Sequence, residues 1–145
     1  MHPACVKAAT RILAMLQELG NLVLLAARLW MAKIFWQSGM VKIEDWGNTL
    51  YLFKEEYHVP LLPPSLAALF ATSFELACPV LLVLGLGARL ATLPMLAMVA
   101  VIQFTYDSNM EHFYWAMLLA TLLCFGPGKL SLAHFIRAKL LKYKS

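Results

Sequence analysis

Charge is scarce in this chain. Of its 145 residues only 14% are Asp, Glu, Lys or Arg, against roughly 25% in an ordinary soluble domain. Cysteine is scarce as well. Cys5, Cys78 and Cys124 form no CxxC pair and no zinc-like spacing, which argues against a disulfide framework or a zinc site. No Walker loop, GxGxxG, GxSxG or HExxH occurs, so nucleotide-dependent, serine-hydrolase and zincin chemistry have no support. The apolar stretch after Lys7 and Arg11 is too long for the core of a signal peptide and lacks a clear cleavage site. The basic residues sit at the ends of apolar runs rather than on one soluble face, which excludes nucleic-acid binding. What is abundant is hydrocarbon: 61% of residues are hydrophobic and the mean hydropathy is +0.70. The composition is that of an integral membrane protein, read as one membrane domain over 1–145 whose first partner is the lipid bilayer.

A spanning helix needs about 20 apolar residues. Four runs approach this, at about 21–41, 65–86, 90–106 and 110–125, and Gly126-Pro127-Gly128 stops the last. Their short connections predict an all-α, antiparallel four-helix membrane bundle. Amphipathic segments at about 5–19 and 131–143 read as interfacial helices, apolar on one side and basic on the other. Lys7, Arg11, Arg89, Lys129, Arg137, Lys139, Lys142 and Lys144 flank one end of the spans. The other end has Lys42 and Lys54 among Glu44, Asp45, Glu55, Glu56, Asp107 and Glu111. By the positive-inside rule both termini face the cytoplasm.

Against this background two residues stand out. Arg28 lies within the first span and Glu75 within the second. A charge near the bilayer centre costs about 2.5–3.5 kcal/mol on insertion scales, so it marks a partner, a wet cavity or a functional pocket. The expectation is a buried Arg28–Glu75 pair, with Lys33 as the competing partner for Glu75. On a helical wheel Arg28, Phe35, Gly39 and Lys42 share one direction, with Lys33 and Gln37 nearly opposite. Gly39 would allow close helix approach, and Lys42 can reach toward water. Gln103 and Asp107, one helical turn apart, add polar groups at the acidic end, where His58 and His112 also lie. The spacing there matches no strong metal motif, and a solvated loop is the preferred reading.

Taken in order, several motifs resemble the DoxX family of small four-span bacterial membrane proteins. They are Arg28-Leu29 followed by Phe35, Gly39 and Lys42; Phe74-Glu75 leading to Leu84-Gly85-Leu86-Gly87-Ala88-Arg89; and Gly126-Pro127-Gly128-Lys129-Leu130-Ser131-Leu132. The family often carries an acidic residue just after the closing Ser-Leu, where this chain has Ala133-His134. The resemblance implies an inner-membrane redox accessory, a possible oxidoreductase subunit working beside a protein partner in a quinone-linked or thiol redox complex. The sequence contains no haem pair, flavin motif or cysteine relay of its own. In that reading Arg28 and Glu75 are the catalytic candidates, Arg28 polarising a quinone carbonyl and Glu75 passing a proton. Lys33, Gly39, Lys42, Gln103 and Asp107 are the ligand-binding candidates, and no metal ligand is assigned. Two other readings are a non-catalytic scaffold, and a small transporter or metal-handling protein using the acidic end.

Overall fold

The computed structural model describes residues 3–57, 59, 61–106 and 108–143. Among them are six helices: α1 (Pro3–Glu44), α2 (Trp46–Glu55), α3 (Pro64–Leu84), α4 (Ala88–Thr105), α5 (Met110–Phe125) and α6 (Leu132–Tyr143). α1 packs on α3, α3 on α4, α4 on α5, and α5 returns to α1, which closes a four-helix ring. The architecture is an all-α membrane bundle, and the chain is a multi-pass membrane protein. α1, α3 and α4 are each long and apolar enough to cross a bilayer, and α5 is a shorter apolar helix.

The first helix departs from expectation. A separate helix over 5–19 does not form, because α1 is continuous for 42 residues. At 1.5 Å per residue that is about 63 Å, roughly twice the hydrocarbon thickness. Its interior contains no proline, and a lone Gly20 costs only about 1 kcal/mol against alanine, too little to break a run rich in Leu, Ala and Met. The connection between α1 and α3 also forms a helix. Asp45 accepts from the Asn48 N–H at 2.9 Å and starts α2, whose Phe53 buries itself against Ala67 and Ala68 of α3.

The other boundaries follow local chemistry. Pro64 opens α3 where its missing N–H is harmless. Gly85 closes it in the left-handed region at φ 67°, with Leu86 N–H reaching back to Leu81 O at 3.0 Å. Asn109 caps α5 by accepting from Glu111 N–H at 3.1 Å. The core between the helices is sealed by Met31, Leu82, Met95, Leu119 and Leu122. Helix direction alternates around the ring. Arg28 lies at the Gly85 end of α3, while Gly39 lies against Glu75 and Leu76. On α4 and α5, Arg89 reaches Cys124 O, and Gln103 meets His112.

Candidate functional site

The expected Arg28–Glu75 pair does not form. Glu75 instead pairs with Lys42, whose Nζ donates to both carboxylate oxygens at 2.8 and 2.9 Å. Ser38, one helical turn before Lys42, completes the cluster. Its Oγ accepts from Lys42 Nζ at 2.8 Å and donates to Glu75 Oε1 at 3.3 Å. The Glu75 side chain is 4% exposed and that of Lys42 14%. Gly39 makes this possible, because a Cβ there would stand 2.9 Å from Leu76 Cδ2 and 3.1 Å from Glu75 Cβ. The glycine lets α1 approach α3 closely enough for a lysine to span to the carboxylate.

Arg28, only 1% exposed, has a different occupation. Its Nη1 donates to Pro127 O and its Nη2 to Leu130 O, both at 2.8 Å. The guanidinium thus holds the segment after α5 onto the end of α3, in the space that Gly85 leaves open. Asn21 reinforces this hold by accepting from Lys129 N–H at 3.0 Å. Arg28 and Lys42 share the inward stripe, as the wheel required, but they serve opposite ends of the bundle. The packing of α1 on α3 sets Arg28 beside Gly85 and Gly39 beside Glu75, so Arg28 lies well away from the carboxylate. The lean of helical side chains toward the N-terminus then carries Arg28 away from Glu75 and toward the basic end.

The remaining candidates are dispersed. Lys33 is exposed on the outer face of α1, beside Gln37, and does not contact Glu75. Gln103 pairs with His112, its Oε1 2.9 Å from Nδ1, and so belongs to the α4–α5 seam rather than to the Glu75 cluster. His112 is buried there with its ring edge-on to Trp115, so it is not the solvated loop histidine expected. Asp107 and His58 lie outside the described residues. Among the described residues no group of three His, Cys, Asp or Glu side chains converges in a way that could hold a metal ion.

The Lys42–Glu75 pair forms part of the wall of a cavity of about 210 Å³ between α2, α3 and α4. The remaining wall is almost wholly apolar or aromatic, including Phe53, Phe70, Phe74, Pro94 and Met98, with Tyr57 as a further polar group. Tyr57 stacks edge-on between Phe53 and Tyr106, at ring separations of 4.8 and 4.7 Å. Burial pushes its phenol above the usual tyrosine range, and the nearby Tyr106, Glu75 and Glu56 add to the effect. The phenol therefore stays neutral and available as a donor.

A fixed ion pair on an apolar wall can orient an amphipathic guest, donate to its oxygen and exchange a proton with it. Sequence reasoning missed Ser38 and Tyr57 in this cluster. Ser38 carried a usable signal, since it sits one turn before Lys42 on α1. Tyr57 carried none, because the fold of the segment between α2 and α3 brings it in.

Against known proteins, a family model described as DoxX matches residues 23–108. No curated protein and no solved structure matches the chain.

Proposed function

The chain belongs to the DoxX family, and from that premise we propose that it is a membrane redox accessory whose cavity beside Lys42 and Glu75 binds a quinone ring. The observation that carries this reading is the isolated Lys42–Glu75 pair on an otherwise apolar cavity wall. Size agrees: a cavity of about 150 Å³ already admits benzene, and this one is about 210 Å³. A bound quinone supplies two-electron chemistry linked to two protons, with the electrons coming from a redox partner. Lys42 donates to the ring carbonyl and raises its electron affinity. Ser38 keeps Lys42 and Glu75 in register; the pair would pass one proton to that oxygen and be reprotonated from water, and the second proton would reach the far carbonyl from outside the pair. Tyr57 offers a further donor, and the aromatic lining holds the ring. Lys42 thus takes the polarising role first expected of Arg28, which is committed to backbone carbonyls. The basic end faces the cytoplasm of a bacterial inner membrane, so the cavity opens near the opposite leaflet.

The test is gentle purification followed by mass spectrometry for retained quinone, with binding of a short-chain quinone measured on the same sample. The expected result is retained quinone in the unmodified protein and at least about tenfold weaker binding in Glu75→Gln and in Lys42→Met, a loss of about 1.4 kcal/mol or more. Unchanged binding in both variants would overturn the assignment of this cavity.

A further inference from the structure

The basic end of the bundle holds a second cavity, of about 630 Å³, that the reading above does not use. It lies between the α3–α4 turn, the Gly126–Ser131 segment and the start of α6. Arg89, Lys129, His134 and Arg137 line it, and among the described residues no carboxylate does. Arg89 gives one N–H to Cys124 O at 3.1 Å and keeps the others. Lys129 meets Glu18 at 2.7 Å on an exposed surface, where such a pair is weak and readily exchanged. Arg137 forms no ion pair among the described residues. Cations gathered around one space repel each other, and an anion between them offsets that repulsion.

Two further features agree. The start of α4 lines the same cavity, with no side-chain cap and no acidic residue in its first turn, so its N–H groups favour an anion. Leu90 and Phe125 also line it and are largely exposed, which gives the cavity apolar walls beside its basic ones. The cavity sits where α3 and α5 end, the height at which lipid phosphates meet a basic pocket.

We propose that this cavity binds the phosphate headgroup of an anionic phospholipid, with Arg89, Lys129 and Arg137 around the phosphate and an acyl chain along Leu90 and Phe125. The site is independent of the quinone reading. The test uses the purified chain in micelles, titrated separately with phosphatidylglycerol, phosphatidylcholine and inorganic phosphate, and read by native mass spectrometry and thermal unfolding. Phosphatidylglycerol should bind in preference to both others. Arg137→Glu should weaken it about tenfold without lowering the unfolding temperature of the lipid-free protein, since this side chain is exposed. Arg11→Glu, about 15 Å along α1 from Asn21, should leave binding unchanged. Equal binding of phosphatidylcholine, or equal weakening by Arg11→Glu, would overturn the site in favour of diffuse charge attraction. Inorganic phosphate binding as tightly as the lipid would also overturn it, by making the guest a soluble anion.

Discussion

Arg28 and Glu75 are both buried ionisable groups in spanning helices, yet the bundle satisfies them in opposite ways. Arg28 forks onto Pro127 O and Leu130 O, two backbone acceptors with no charge of their own. Glu75 meets a side-chain cation, with a hydroxyl between them, at the edge of a cavity. The first arrangement belongs to the fold: both acceptors lie in one chain segment, and of the guanidinium nitrogens only the buried Nε is left without a partner. The second is open to exchange, because a guest oxygen in the cavity can take a share of Lys42 or Glu75. A buried charge in a membrane therefore does not by itself mark chemistry. Its partners decide whether it fastens the fold or serves a site.

The largest expected effect breaks the first arrangement. Arg28→Ala leaves two carbonyls without donors, at about 1–3 kcal/mol each, and should sharply reduce folded protein in a detergent unfolding assay. Gly85→Ala should loosen the same arrangement. It forces a Cβ into the left-handed region at φ 67° and into the space filled by Arg28 and Ser131, where backbone alone costs about 1–2 kcal/mol. Protease protection of the segment after α5 would report that loss directly.

A double-mutant cycle sharpens the comparison. Glu75→Ala alone leaves Lys42 half-stranded and should destabilise by up to about 3–5 kcal/mol, less whatever Lys42 recovers by reaching water. Combined with Lys42→Ala the losses should be clearly less than additive, whereas Glu75→Ala with Arg28→Ala should add. Additivity of Lys42 with Glu75 would dissolve the pair. The smallest effect is expected for Tyr57→Phe, which keeps the ring stack and removes only the hydroxyl. Stability should stay within about 0.5 kcal/mol, while quinone affinity falls a few-fold in a binding titration.

The sequence made the spans legible because apolar runs and their Gly and Pro stops are local signals. α5 and α6 fall nearly where periodicity and the Gly126-Pro127-Gly128 stop put them. It also singled out Arg28, Glu75, Gly39 and Lys42, since charges and small residues on one stripe of an apolar helix are rare. The partners were not legible. Pairing depends on how far α1 slides along α3 and on which way the side chains lean, and Arg28 and Lys42 stand about four turns apart on one stripe. Gln103 and His112 illustrate the same limit, since the sequence placed both at the acidic end and only the packing of α4 on α5 pairs them. The sequence reading divided α1 into an amphipathic segment over about 5–19 and a span from about 21, with Glu18 and Asn21 at the join. In the fold they serve Lys129 instead, Glu18 binding its ammonium and Asn21 its backbone N–H. The cavity could not be read at all, because α2 is a polar-aromatic segment whose buried face appears only against α3.

The most direct measurement compares two mild variants, Arg28→Lys and Glu75→Gln, for unfolding and for quinone binding on the same purified samples. Arg28→Lys should lower the unfolding temperature, since lysine cannot fork onto two carbonyls, and should leave affinity per folded molecule unchanged. Glu75→Gln leaves Lys42 without a counter-charge and should also lower the unfolding temperature, but it alone should weaken binding per folded molecule at least about tenfold. Weakened binding in Arg28→Lys with full binding in Glu75→Gln would contradict the division of labour between the two buried charges.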